Sequence, residues 1–247
     1  MINVENLYKS FNHRPVLQGV SLRVEKGEIL AVIGGSGAGK SVFLKHVSGL
    51  MEPDRGTIVV GGLEVARLKG KALEQYRERL GFLFQGGALF DSMNVYDNVA
   101  FPLREKTRLQ EGKIKDLVCT MLEHVGIEDE DTKFPAELSG GMKKRAALAR
   151  ALITSPEIML FDEPTTGLDP ITVRNVLNYI KVTHQKHGFT GIIVTHQIPE
   201  IFAVVQKVAL LSGGTIVAFG TPEEIQRSSN ALVQEFLTGG VTHTSES

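Results

Sequence analysis

The sequence predicts an α/β protein built on a parallel sheet, with an antiparallel β region at its N-terminus and a helical lobe inserted into the core at about residues 92–155. Three observations carry that class. Short, nearly unbroken apolar runs, Ile29 to Ile33, Ile158 to Phe161 and Gly191 to Thr195, have the character of strands covered on both faces. Upstream of them, Ile2 to Leu7 and Val16 to Val24 alternate apolar with polar residues, as two antiparallel strands do. Between the first and second apolar runs, from about Tyr96 to Thr154, the spacing turns helical.

Taken in order, EKGE turns the chain after the N-terminal strands, and the strand ending at Ile33 leads directly into a glycine-rich segment. TIVVGG and LGFLFQ add strand signals. Pro135 and Gly140–Gly141 divide the helical region into separate helices. ITVRNVLNYIKVTHQKH reads as a long helix, and Thr221-Pro222-Glu223-Glu224 as a helix start, with Thr as cap, Pro in the first position and Glu224 closing a capping box. One domain is expected over residues 1–240, followed by a polar, frayed tail at 241–247.

Composition narrows the function. The chain has 247 residues, 42% hydrophobic and 22% charged, with a formal net charge of -1, so no nucleic-acid partner is expected. The single cysteine, Cys119 in LVCTMLEHV, excludes an internal disulfide and implies a reducing compartment; its apolar neighbours place it as a buried helix residue. No apolar stretch approaches the ~18 residues of a membrane span and no leader pattern opens the chain. The expectation is a soluble, uncleaved protein able to dock on a membrane partner.

The segment after Ile33 holds the first chemistry. Residues 34–41, GGSGAGKS, fit G-x-x-x-x-G-K-[ST], with a strand before them and an apolar helix, SVFLKHVSGL, after them. Gly34, Gly35, Ser36, Gly37, Ala38 and Gly39 let the backbone curl around one anion, Lys40 reaches the β and γ phosphates of a nucleotide, and the helix begun by Ser41 and Val42 adds its positive end. Ser41 offers a hydroxyl to Mg²⁺. A second strand end carries two carboxylates. Asp162 is suited to the metal, and Glu163, one residue on, to accepting a proton from water. His196 follows the strand GIIVT and can donate to the γ phosphate.

GGSGAGKS, Gln85 in FLFQ, LSGGM, IMLFDEP, GLD and His196 in VTHQ occur in the order that marks the ATP-binding subunits of ABC transporters, and the resemblance covers about Ile2 to Phe236. It implies the P-loop ABC ATPase fold and a homodimer in which the signature of one chain, Leu138, Ser139, Gly140 and Gly141, closes over the ATP bound by the other. Ser139 capping its own helix is compatible with that role. Met142 stands where many relatives carry Gln. By motif position, Phe11 matches the residue that stacks on adenine, with Tyr8 as the alternative; Gln85 reaches Mg²⁺ or the attacking water; and Asp169 links the two composite sites while capping the helix that follows. ATP and Mg²⁺ are the implied cofactors, and catalysis falls to Glu163, His196, Lys40 and Gln85.

A finer resemblance, carried by FQGGALFDSMNVYDNVAFPLRE, LSGGMKKRAALARAL and EPTTGLDPI, is to the ATPases of Mla-type systems. It implies phospholipid transport with an integral membrane permease of the MlaE type and, through it, an MCE lipid-binding protein, on the cytoplasmic side of the inner membrane. Gly86 and Gly87 leave room for close approach of a docking helix, and Leu89, Phe90 and Met93 offer it apolar contacts; internal packing is the competing role for all five. Uptake of amino acids or other small solutes is the alternative cargo. A soluble, non-transport ABC ATPase and a P-loop small-molecule kinase are the rival classes; LSGG and the adjacent acidic pair argue against the kinase.

Overall fold

The structure is a computed structural model describing residues 1–238, so the end of the expected domain and the polar tail lie outside the described residues. In chain order the elements are β1 (Ile2–Phe11), β2 (Arg14–Val24), β3 (Ile29–Ile33), α1 (Lys40–Val47), β4 (Arg55–Val60), β5 (Leu63–Glu64), α2 (Gly70–Glu78), β6 (Leu80–Leu83), α3 (Val95–Lys106), α4 (Glu111–His124), α5 (Gly140–Leu152), β7 (Ile158–Asp162), α6 (Pro170–His187), β8 (Thr190–Thr195), β9 (Lys207–Ser212), β10 (Thr215–Gly220), α7 (Pro222–Gln226) and α8 (Ala231–Leu237).

Two compact units divide the chain. The first comprises Met1–Leu68 with the segment from Val194 onward, the second Lys69–Ile193. In the first unit, β1 pairs with β2 and β4, both antiparallel, in a four-stranded sheet of order β2-β1-β4-β5. The same unit carries the strand order β10-β9-β3, with β3 parallel to β9 and β10 antiparallel to it. All five residues of β3 are buried, as its unbroken apolar run requires. The Gly213–Gly214 turn joins the two sheets, because Gln18 N donates to Gly214 O at 2.8 Å and Gln18 Nε2 to Gly213 O at 2.8 Å.

The second unit holds β8-β7-β6 in that order, β6 parallel to β7, together with α2 to α6. Its helices bury apolar residues, and α3 adds one buried polar group. Asn98 on α3 is fully buried; its Oδ1 accepts from Phe90 N at 2.8 Å, and its Nδ2 donates to the carbonyls of Phe90, Met93 and Asn94 at 3.0–3.1 Å. A buried amide satisfied this fully pins the irregular segment at Phe90, Met93 and Asn94.

The capping box at Thr221 forms with both of its hydrogen bonds, 2.7 and 3.2 Å. One expectation is corrected. Cys119 is exposed, because α4 buries the stripe Ile114, Val118, Met121 and Leu122 and Cys119 falls beside it. Local apolar composition misplaced a residue that helical phase puts outside. The β9–β10 hairpin is an element the sequence reading did not include, although KVALLSGGTIVAFG shows two apolar runs around a Gly-Gly turn.

Three histidines, His46, His124 and His187, have pKa values below the ordinary 6.5, with desolvation by burial the leading cause for each. Above that value both folded and unfolded chains hold them neutral. As the pH falls through it, the unfolded chain takes up protons that the folded chain resists, so stability drops. The urea midpoint should therefore fall between about pH 7.5 and about pH 5.5, with a shallower fall in His187→Gln. An unchanged midpoint would contradict the burial of these rings.

Candidate functional site

In the first unit, β3 delivers the chain to residues 34–39 and α1 begins at Lys40. Gly34 is required where it stands, since a Cβ there would lie 2.3 Å from the carbonyl oxygen of Leu211 on β9. Gly39 precedes the helix at φ 98° and faces Val16 and Leu17, where a Cβ would sit at 3.0–3.1 Å. The loop base is thus packed against neighbouring strands, while Gly35, Ser36 and Gly37 are exposed at its rim. Lys40 is 6% exposed, and its Nζ donates to Gly34 O at 2.9 Å and Gly35 O at 3.0 Å, which holds the ammonium inside the curl of the loop. No side chain caps α1 and no acidic residue sits in its first turn, so the positive end of the helix meets no carboxylate of its own turn. Ser41 and Val42 follow, half-buried. Together these groups form a cradle for a phosphate chain.

Phe11, at the end of β1, is 41% exposed, with Lys9 Nζ 5.7 Å from its ring centroid. Tyr8 is equally exposed, but its ring lies over Gly19, where a Cβ would be 2.8 Å from the hydroxyl. His196 is exposed directly after β8.

The second unit carries the acidic pair. Asp162 closes β7 and is half-buried; Glu163 is 7% exposed. The backbone of Glu163 adopts φ 48°, the left-handed region that is costly for a residue with a β-carbon, and its Oε2 accepts from Thr166 Oγ1 at 3.1 Å. Strain of this kind, over-determined by its surroundings, holds a carboxylate in a set direction. Gln85 is exposed just past β6.

Two basic residues that the sequence reading passed over grip the segment around Gln85. Lys144 on α5 is 7% exposed and donates to the carbonyl of Gln85; burial pushes its pKa down, and the charges of Asp162 and Glu163 act to raise it. Arg150, also on α5, donates to Gly87 O at 2.9 Å and lies 5.5 Å from the centroid of Phe90. Gly87 approaches α5 itself, its added Cβ falling 3.4 Å from that of Ala147, and Phe90 meets Phe101 edge-on at 4.9 Å. The signal for Lys144 was helical phase, since it lies three and four residues before Ala147 and Leu148 on the buried face.

LSGG forms the start of α5. Leu138 is 6% exposed, Ser139 and Gly140 are exposed, and Ser139 Oγ caps the helix by accepting from Met142 N at 3.3 Å. No acid occupies this first turn either. Gly141 is buried, and a Cβ there would meet Thr172 Cγ2 at 2.5 Å, so α5 starts in direct contact with the first turn of α6. Asp169 caps that turn by accepting from Ile171 N and Thr172 N, both at 3.0 Å, and from the Thr172 hydroxyl, the largest of the influences holding its carboxyl below the usual value. Gly39 before α1 in the first unit and Gly140 at the start of α5 in the second each lead a helix whose first turn holds no acid, a terminus suited to an anion.

Residues 17–166 match the ABC transporter family. A relative from Mycobacterium leprae, called a probable ribonucleotide transport ATP-binding protein, is 42% identical over 96% of this chain and 69% of its own length. The intermembrane phospholipid transport system ATP-binding protein of Haemophilus influenzae is 39% identical over 97% of this chain and 90% of its own. A solved dimeric ATP-binding cassette in a post-hydrolysis state, bound to ADP and Pi, superposes with a TM-score of 0.82 at 27% identity, covering 90% of this chain and 99% of that one. The protein therefore belongs to the ABC transporter family. Within it, the chain is an ATP-binding, ATP-hydrolysing cassette, the motor component of a transporter.

Proposed function

We propose that the protein drives phospholipid transport as a homodimer bound to an MlaE-type permease on the cytoplasmic side of the inner membrane, with an MCE lipid-binding protein reached through the permease. The observation that carries the dimer is the exposed Ser139–Gly140 start of α5, an anion-suited terminus additional to the one that the phosphate loop supplies. One terminus holds the phosphates of a bound ATP. The other, led by Leu138, Ser139, Gly140 and Gly141, completes the site of the partner chain. Similarity to a dimeric cassette supports that arrangement. Among the described residues no helix is long and apolar enough to cross a membrane, so the membrane-spanning path is assigned to the permease.

Mg²⁺ fits the donors available. The hydroxyl of Ser41, the amide oxygen of Gln85 and the carboxylate of half-buried Asp162 are hard oxygen ligands of the kind this ion takes. When bound it neutralises charge building on the phosphates. Gly34 to Val42 hold the phosphates, with Lys40 balancing the charge of the β and γ groups. Phe11 stacks on adenine. Glu163 accepts the proton of the attacking water, in a direction set by its strained backbone and by Thr166. Gln85 orients the water or the metal, His196 donates to the γ phosphate, and Asp169, capping α6 beside the signature, links the two sites.

The cargo rests on likeness to the phospholipid system of Haemophilus influenzae across nearly the whole chain. The Mycobacterium leprae relative, at similar identity, favours a second reading, uptake of a small solute such as a ribonucleotide.

Glu163→Gln should retain ATP binding while turnover falls by about 10² to 10⁴, the usual worth of a positioned base. In sedimentation velocity the same variant should shift from monomer toward dimer on adding Mg-ATP. Near-normal turnover removes Glu163 from the mechanism, and the absence of any shift at high protein concentration removes the shared site. Affinity purification from membranes with mass spectrometry should recover a permease and an MCE protein; a permease accompanied by a solute-binding protein would replace the lipid assignment and leave the motor intact.

A further inference from the structure

We propose that Asp54 and Lys9 form a clasp that sets the spacing between the base platform at Phe11 and the phosphate loop, which makes them positioning residues for ATP. The proposal rests on Phe11 as the adenine platform.

Lys9 Nζ donates to Asp54 Oδ1 at 2.8 Å and to Glu52 O at 2.9 Å, and lies 5.7 Å from the Phe11 centroid. The other oxygen of Asp54 accepts from Ser10 N at 2.7 Å, and Asp54 N donates to Tyr8 O at 3.0 Å. Three successive residues before Phe11 are thereby tied to one aspartate. The Lys9 hydrogen bond, and after it the Ser10 amide, hold the Asp54 carboxyl below its usual pKa, so it stays ionised at neutral pH. With its ammonium over Phe11, Lys9 leaves the ring one face for a purine.

The other end of the clasp belongs to the phosphate loop. Leu50 N and Met51 N both donate to Lys45 O, at 2.9 and 3.1 Å, so the segment leading to Asp54 leaves α1 without slack. The opposite end of α1 is Lys40. Beyond Asp54, a Cβ at Gly56 would lie 2.1 Å from Asn6 O, an approach of β4 to β1 that only glycine permits. Inside one unit, hydrogen bonds at Asp54 and at Lys45, joined by the short chain from Met51 to Asp54, thus connect the residues before Phe11 to the helix that begins at Lys40. A nucleotide gripped at base and phosphates together gains from a spacing fixed beforehand, because ordering the two grips no longer opposes binding. A ligand with phosphates and no base gains nothing from the clasp.

Calorimetry on the full chain, with a non-hydrolysable ATP analogue and with inorganic tripolyphosphate, separates the two grips. Asp54→Ala and Lys9→Met should each weaken the analogue by about three- to tenfold and tripolyphosphate by less than about twofold, as loss of one charge-assisted contact implies. The double variant should be no worse than the poorer single one, and Asp54→Glu should restore much of the affinity. Phe11→Ala should weaken the analogue by roughly tenfold or more, the worth of a stacked base. If Asp54→Ala weakens both ligands equally, or neither while Phe11→Ala weakens the analogue, the clasp is overturned. An unchanged Phe11→Ala removes the platform, and the clasp falls with it.

Discussion

A triphosphate's terminal group is charged on every side, and a helix N-terminus offers its amides from one direction only. That constraint organises the chain. Glycine at position 34, pressed against Leu211 O, and glycine at 39, in a left-handed conformation against Val16 and Leu17, give the first terminus a loop that fits around an anion. Lys40 adds a charge fastened to that loop. The second terminus, at Ser139 and Gly140, repeats the device on α5 with a serine cap. Neither first turn contains an acid, although the chain as a whole carries slightly more acidic than basic residues.

Around the second terminus the contacts join the signature to two other segments of its unit. Gly141 rests on Thr172, which Asp169 holds by backbone and side chain together. Further along the same helix, Lys144 and Arg150 hold the carbonyls of Gln85 and Gly87. One helix thus touches the Asp169 turn at its start and the Gln85 segment along its length. Asn98 backs this segment, its side chain bonding Phe90, Met93 and Asn94 and accepting from Arg150 on α5.

Much of this was legible in the sequence, and what was not has a physical cause. The phosphate loop, the acidic pair after Phe161, and the caps at Asp169 and Thr221 are local patterns whose geometry follows from neighbours along the chain. Lys144 and the Asp54–Lys9 clasp depend on residues tens of positions apart, and charge alone gave no sign that a lysine in MKKR turns inward. Phe11 was chosen over Tyr8 by motif position alone, since strand alternation loses its phase there: the pairing of β1 with β2 shifts register between Leu7 and Tyr8, and Asn6 takes a positive φ. Cys119 failed for the opposite reason: its neighbours are apolar, but the helix turns it away from the face they share.

In the proposed dimer the loop of one chain and the signature of the other act on the same nucleotide. Two chains, each defective in a different half, test it directly. Lys40→Met should disable the loop, and Ser139→Arg should disable the signature by placing a bulky cation at the helix start. Each homodimer should be inactive. In an equimolar mixture half of the dimers pair unlike chains, and each of those holds one composite site with both halves intact, so up to about a quarter of native ATPase activity should return. A mixture as inactive as its two components, under conditions where exchange of chains is verified, would contradict it.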